Sequence, residues 1–559
     1  MTPAKRGLLG TVLDRLYARW LSPETNNYTI DSLRIPIADN VSIAADLYRP
    51  LGPNPLGTIF VRSPYSINLS IALPTARIFA ARGYQVLLSS CRGTSDSEGD
   101  FDPARNEGRD GQVVLAWMRE QPWYTGSFAT LGASYLGYVQ WALLSANPPP
   151  DMKAAIINTG PHDFSHFVYG TGALACEVIA WSDFITRMRR GQGTISLLWY
   201  LRSQKARLLP LYNAVPLLDA VNKYFGLGAP KWIQDMITHT DLSDSYWQPM
   251  RVQTGALDQS SVPILLTTGW YDLVLPEVME QYSRLSAGGG NVALTIGPWT
   301  HLGAGGANSL SETLSWLEEH LAQRPGAHRP SPVRIFVTGK QEWRDFPSWP
   351  PPSSPHELFL SPANTLSRDP PPADAPDSVF KFDPADPTPS LGAPELYDQG
   401  RGKREPDTAL ATRPDTLTFA TAPLPADLAV IGKPLVTLHH ASDHPHVDVL
   451  VLLSEVQSDG VSHSISERYL RLDRAREQQG GPDPLLRLAL RDCAHVFCKG
   501  NRIRLLIAGG SHPRYIRNLG TEENPGTSAN MCAAWHTVKH SGATVSKIGL
   551  PVADVATLS

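Results

Sequence analysis

The stretch "TLGASYLGYVQ", residues 130–140, places one serine, Ser134, between Gly132 and Gly137 at the end of an apolar run. Two readings compete there. Either the glycines let a strand turn tightly into a helix and Ser134 is a bystander at the bend, or the turn exists to lift one hydroxyl clear of a sheet. The surroundings bear on the choice. Short apolar strands ("VSIAADLYRP" 41–50, "GTIFVRSPY" 57–65, "GYQVLLSS" 83–90, "KAAIINTG" 153–160) alternate with amphipathic helical stretches ("ALPTARIFAARG" 72–83, "EGRDGQVVLAWMREQ" 107–121). Such alternation predicts a mostly parallel sheet covered by helices on both faces.

Farther out the pattern changes. Residues 161–255 are rich in Trp, Tyr, Leu and Arg and lack clear strand runs. The strand signature returns at "VPILLTTGWYD" (262–272) and "NVALTIGPWTH" (291–301), so 161–255 reads as a helical cap inserted between two strands. Prolines then crowd "FPSWPPPSSP" (346–355) and "RDPPPADAPD" (368–377), which is connector chemistry. Beyond them, short runs such as "LAVIGKPLVTLHH" (428–440), "VDVLVLLSEV" (447–456) and "NRIRLLIAGG" (501–510) predict an all-β sandwich. The division is an N-terminal amphipathic helix (1–27), sheet-domain segments at 28–160 and 256–345, the cap at 161–255, and the sandwich at 346–559.

Composition narrows the classes of function. A chain of 559 residues, 42% apolar and 18% charged with a net charge of −4, is a globular protein of several domains. No run of Lys or Arg marks a nucleic-acid surface. Five scattered cysteines (Cys91, Cys176, Cys493, Cys498, Cys532) fit neither a disulfide framework nor a zinc site. At the N-terminus, Leu9, Val12, Leu13, Leu16, Tyr17 and Trp20 share one helical face, but Asp14 and Arg15 interrupt any secretory or membrane-spanning run. The expectation is a helix docked on its own domain, in a cytoplasmic protein with no stable membrane span; an organelle presequence or a membrane-surface helix is the alternative.

A nucleophilic serine on a strand-to-helix turn has the form G-x-S-x-G. Here Gly132 lies two before Ser134, but Leu136 lies two after it and Gly137 one later. By spacing alone this is a near miss. A serine also needs a base to take its proton and a carboxylate to orient that base, following in the chain order Ser, acid, His. Asp272 follows the strand "PILLTTGWY" and His301 follows "VALTIGPWT", each where loops of an open α/β sheet gather ligands. Taken singly, Asp272 reads sooner as a helix cap or a turn residue, and His301 sooner as a polar loop residue, than as catalytic groups. Together, in order and at strand ends, the three point to a hydrolase.

"RSPY" (62–65), "GASYLGYVQW" (132–141), "TTGWYD" (267–272), "IGPWTH" (296–301), "VRIFVTGKQEWRDFPSWP" (333–350) and "FDPADPTPSLG" (382–392) together resemble the CocE/NonD hydrolases. That family is related to the α-amino-acid ester hydrolases and the Xaa-Pro dipeptidyl-peptidases of family S15. The resemblance runs from about residue 28 to near the C-terminus. It implies an α/β-hydrolase fold with an inserted helical cap and a C-terminal jelly-roll (galactose-binding-like) domain. It makes G-x-S-Y-x-G the nucleophile turn, and it implies Ser134, Asp272 and His301 as the triad. It further implies an oxyanion hole made by the Tyr65 hydroxyl and the Tyr135 backbone N–H.

Departures from the family bear on substrate. Of the aromatic acyl-pocket positions of relatives, one matches Trp181, while others fall near Val168 and on Val274, which weakens an aryl-acyl clamp and implies a different or larger acyl group; Trp270 joins them as a pocket candidate. Where amino-acid ester hydrolases place carboxylates after the catalytic aspartate, this chain has Leu273, Val274 and Leu275. In "SSCRGTSDSEG" (89–99), Ser90 replaces the acid of the usual D-x-R-G, leaving Asp96 or Glu98 to partner Arg92. The resulting expectation is a serine hydrolase acting on small-molecule carboxylic esters through an acyl-enzyme, with no metal or organic cofactor. An Xaa-Pro dipeptidyl-peptidase would instead need acids in the cap, for which Asp163, Glu177 and Asp183 are the candidates. A low-activity binding protein on the same fold is the third alternative, and a homo-oligomer stays open.

Overall fold

The computed structural model describes residues 26–553, apart from residues 39, 53, 66, 68, 146–148, 190–194, 227–228, 253–254, 305–308, 325–328, 397–404, 473–484 and 542–544, together with scattered residues of the first 25. Of the predicted N-terminal helix, Val12 is described, helical and 47% exposed; Leu9, Leu13, Leu16, Tyr17 and Trp20 lie outside the described residues. No helix among the described residues is long and apolar enough to cross a membrane. The chain separates into two compact units.

The first unit comprises residues 1–165, 181–202 and 243–333. Its sheet contains β1 (Tyr28–Pro36), β2 (Ser42–Pro50), β3 (Thr58–Ser63), β4 (Gln85–Ser90), β5 (Phe128–Ala133), β6 (Met152–Asn158), β7 (Ile264–Tyr271) and β8 (Val292–Thr300). The spatial order is β1-β2-β4-β3-β5-β6-β7-β8. The β1–β2 and β2–β4 pairs are antiparallel, and every pair from β4 onward is parallel. Strands β3 and β4 are buried at every residue, as parallel strands covered on both faces must be. Helices α1 (Glu107–Arg119), α2 (Tyr135–Leu144) and α3 (Leu275–Ala287) connect or follow the strands that carry the chemistry. Ile59, Val61, Val86, Leu88, Leu131, Ile156 and Leu265 form the core on one side of this sheet.

The excursion after β6 is pinned at its base. Val252 N–H donates to the His162 carbonyl at 3.2 Å, and Asp163 forms an isolated antiparallel bridge with Arg251. Glu277, on α3, accepts from the backbone N–H groups of His162 (2.8 Å) and Asp163 (3.0 Å). A carboxylate buried to 4% exposure thus satisfies two amides that the departing chain would otherwise leave unpaired.

The second unit comprises residues 166–180, 203–242 and 334–559. Its β-sandwich is built on antiparallel strands including β9 (Leu435–Ser442), β10 (Asp448–Val456), β11 (Ser462–Arg471) and β12 (Arg502–Ala508). Strand β10 pairs with both β11 and β12. Val449, Val451 and Leu453 alternate along one face of β10 and meet Leu505, Ile507, Phe419 and Leu438 in the sandwich core. Part of the sequence-defined cap belongs to this unit. Ala175 bridges Tyr515, Cys176 N–H donates to the Arg514 carbonyl, and Ile516 N–H donates to the Leu174 carbonyl, the last two at 2.9 Å. Of the segment 161–255, residues 166–180 and 203–242 fall in the second unit and the remainder in the first.

Candidate active site

Ser134 stands between β5 and α2 with φ 59° and ψ −123°. A serine pays about 1–3 kcal/mol to sit in such a sparsely populated region. The turn is held from both sides: Ser134 N–H donates to the Asn158 carbonyl at 2.9 Å, and its own carbonyl accepts from Gly137 N–H at 2.8 Å. The glycines explain the near-miss spacing. A Cβ on Gly132 would lie 2.3 Å from the Leu136 Cβ, and one on Gly137 would lie 2.6 Å from the Gly160 Cα. The close approach of α2 to the chain after β6 falls at position 137, so Leu136 is free to carry a side chain. Gln140 locks the helix down by donating to the Ile156 carbonyl at 3.0 Å while accepting from the Thr130 hydroxyl at 2.7 Å.

The other two chain-order candidates meet this serine. Strand β7 shifts register against β8 between Gly269 and Tyr271, a bulge of the kind that re-aims side chains beside a site. Asp272 follows at once, fully buried. Its Oδ1 lies 2.7 Å from His301 Nδ1, and His301 Nε2 lies 2.9 Å from Ser134 Oγ. The carboxylate is itself oriented: Thr268 Oγ1 donates to Oδ2 at 2.8 Å and Val274 N–H donates to Oδ1 at 3.1 Å. With the His301 Nδ1–H donating to the Asp272 carboxylate, Nε2 is left as acceptor for the serine hydroxyl. His301 is 3% exposed and its bond to Asp272 is buried, while the bond to Ser134 is part-buried.

Tyr65 reaches the same point from the loop after β3. Burial pushes its phenol pKa up, partly offset by hydrogen bonding with Trp181, with the Ser134 side chain and with the Tyr135 backbone. The phenol therefore keeps its proton and remains a donor beside Ser134. Tyr135 is the first residue of α2, where backbone N–H groups have no partner within the helix. Trp181 Nε1 donates to the Tyr65 hydroxyl at 3.2 Å. Its indole stacks on Tyr135, with centroids 5.5 Å apart and planes 18° apart, and meets Phe164 at 5.7 Å and Phe101 at 6.2 Å. Phe184 packs on Tyr65 at 5.7 Å.

The remaining pocket candidates are placed as follows. Val274 and Trp270, 3% and 6% exposed, flank Asp272 in sequence, and the Val274 amide serves the carboxylate. Val168 is buried in the second unit, on the short helix Phe164–Tyr169, where its carbonyl accepts from Ala175 N–H. Among the described residues no group of three or more His, Cys, Asp or Glu side chains is arranged to hold a metal.

Arg92 is partnered by Asp110 on α1, an acid the sequence did not single out, through two hydrogen bonds of 2.8 Å. Ser90, in place of the usual acid, donates to the Ala44 carbonyl at 2.9 Å and meets the Ser97 hydroxyl at 2.8 Å. Asp96 offers its carbonyl to Arg34, and Glu98 accepts from the Ser42 amide. Sequence reading also passed over Thr268, Phe101, Phe164 and Phe184, and Glu107, whose carboxylate accepts from both Arg62 and Tyr135.

Residues 39–303 match the model of the X-Pro dipeptidyl-peptidase (S15) family, and residues 325–548 match the C-terminal non-catalytic domain of X-Pro dipeptidyl-peptidases. A cocaine esterase of Rhodococcus sp. (strain MB1 Bresler) is 28% identical over 94% of this chain and 99% of its own length. Among solved structures, an aminopeptidase of a marine-sediment Thaumarchaeota archaeon superposes with a TM-score of 0.80 at 20% identity, covering 96% of this chain and 98% of its own. An α-amino acid ester hydrolase gives 0.78 at 21% identity, covering 96% and 98%. These two likenesses establish the shared fold. With an α/β-hydrolase sheet, a helical insert, a C-terminal β-sandwich and sequence matches to both family domains, the chain belongs to the CocE/NonD serine hydrolases.

Proposed function

We propose that this protein hydrolyses small carboxylic esters through an acyl-enzyme on Ser134. The observation that carries the reading is the continuous Asp272–His301–Ser134 chain of hydrogen bonds, at 2.7 and 2.9 Å, ending beside the Tyr65 hydroxyl. Ser134 Oγ attacks the ester carbonyl carbon while its proton passes to His301 Nε2. The carbonyl electron pair moves onto oxygen, and the Tyr65 O–H and Tyr135 N–H stabilise that oxyanion. Collapse breaks the ester C–O bond, and the departing alkoxide takes the proton from His301. Water then attacks the acyl carbon, giving one proton to His301; collapse breaks the acyl C–Oγ bond, the acid leaves with the water oxygen, and Ser134 Oγ takes the proton back from His301.

Two features favour esters over peptides with a free N-terminus. A substrate ammonium needs a carboxylate partner once it is desolvated. Leu273, Val274 and Leu275 supply none, while Asp163 accepts from Ser165 at 2.5 Å and faces Arg251 at 3.7 Å. Asp183 is likewise engaged by Arg187 at 2.8 Å. The Trp181–Phe164–Phe101 wall beside Tyr135 favours an apolar or aryl acyl group. A panel of short-chain and aryl p-nitrophenyl esters, run beside Xaa-Pro p-nitroanilides on wild type and Ser134→Ala, tests this. Ester turnover abolished in Ser134→Ala is the expected result. Faster cleavage of the anilides by wild type would replace the esterase reading with a peptidase one.

A further inference from the structure

Beneath the two oxyanion donors lies a buried polar cluster that the proposed reaction does not use. Glu107, at the start of α1, is 3% exposed. Its Oε1 accepts from the Tyr135 hydroxyl at 2.9 Å and its Oε2 from Arg62 Nη2 at 2.9 Å. Arg62, 4% exposed, also donates to the Glu107 carbonyl at 2.5 Å. The Tyr135 hydroxyl in turn accepts from Ala104 N–H at 2.7 Å. Burial and the neighbouring Glu107 carboxylate push the Tyr135 phenol and the Cys91 thiol well up, so both stay protonated against it.

Such a cluster is expensive. Replacing a buried ion pair by packed apolar side chains is often neutral or stabilising, so its presence calls for a role beyond holding the core together. Its connectivity supplies one. Arg62 lies three residues before Tyr65 on the segment that delivers the phenol donor, and Tyr135 carries the amide donor on its own backbone. One carboxylate ties both segments together. Donors to an oxyanion act only if they are held about 3 Å from where that oxygen will be, and a misplacement of about 1 Å costs about 100-fold.

We propose that Glu107 is a positioning residue of the oxyanion hole, fixing through Tyr135 and Arg62 the two elements from which the donors project. The proposal rests on the ester-hydrolase reading. Glu107 touches no substrate; it holds the Tyr135 ring, and with it the first turn of α2, against α1. The donors bind the transition-state oxyanion more strongly than the ground-state carbonyl, so loosening them lowers kcat and leaves KM nearly unchanged.

The test compares wild type, Tyr135→Phe and Glu107→Gln for ester kcat and KM, inhibition by a trifluoromethyl ketone that forms a tetrahedral adduct on the serine, and thermal melting. Tyr135→Phe keeps the ring, the backbone amide and the Glu107–Arg62 pair, so it stays informative if Glu107→Gln fails to fold. The expected result is a fall in kcat of about tenfold or more with KM within about twofold, and a matching rise in the ketone Ki. A Tyr135→Phe enzyme with a lowered melting temperature but unchanged kcat and Ki would overturn the positioning role alone. A wild type inert to every ester and to the ketone would overturn the hydrolase reading, and the positioning role with it.

Discussion

Asp272→Asn is expected to lower kcat on esters by about 10⁴-fold while leaving KM close to the wild-type value. Two consequences of the substitution combine. In the proposed reaction His301 gains a positive charge as Ser134 loses its proton, and a carboxylate on Nδ1 opposes that charge where an amide does not. The side chain at 272 is also held from two directions, by Thr268 Oγ1 at 2.8 Å and the Val274 amide at 3.1 Å, so it cannot swing to a compensating position. An amide there presents N–H on one side, which competes with the tautomer that leaves Nε2 free to accept. Steady-state kinetics, with circular dichroism to confirm the fold, checks this. A loss of less than about tenfold would mean that the Asp272–His301 contact does not serve proton transfer.

Tyr65→Phe is expected to lower kcat by about 10²–10³-fold, the usual consequence of removing one oxyanion donor. The substitution takes away a single oxygen and keeps the ring on Phe184. It also strips the Trp181 indole N–H of its acceptor, so melting is measured beside activity. Burial raises the Tyr65 pKa above its ordinary value of 10.0, and the phenol keeps its proton throughout the working range. The deficit is therefore the same at pH 6 and pH 9. A deficit that vanished at low pH would mean that Tyr65 acts by some route other than donating from its neutral form.

That Ser134, Asp272 and His301 would meet could be read from sequence because all three obey a local rule. Each member follows the C-terminal end of a strand, and "GASYLG", "TTGWYD" and "IGPWTH" are short stretches in which strand, turn and functional side chain are adjacent. The sheet was legible for the same reason, since alternating apolar strands and amphipathic helices repeat at short range. What sequence did not disclose depends on how α1 crosses beneath the strands. Arg92 seeks a partner next to itself in the chain and finds Asp110, eighteen positions on, one helical turn from Glu107. No spacing rule links those positions to an arginine on β3 or to a loop after β4, because the link is made only once the helix packs.

The segment 161–255 was opaque on a different ground. Its helices show amphipathic faces, but a face records that it is buried and not which surface buries it. Residues 171–176 have no strand-like run, yet Ala175 makes an isolated bridge with Tyr515, more than three hundred residues later. The aromatic wall was half-legible. Trp181 stood out through the family resemblance, whereas Phe101 and Phe164 come from loops and helix starts whose sequence carries no signal of convergence.

The measurement that tests the central claim most directly is covalent trapping. Wild-type protein, Ser134→Ala and the heat-denatured wild type are treated with a fluorophosphonate, digested, and the modified peptide is identified by mass spectrometry. One phosphonyl group on Ser134 of the native wild type, absent from the other two samples, is the predicted result. Equal labelling of Ser134→Ala, or no labelling of the native protein, would contradict the assignment of Ser134 as the nucleophile.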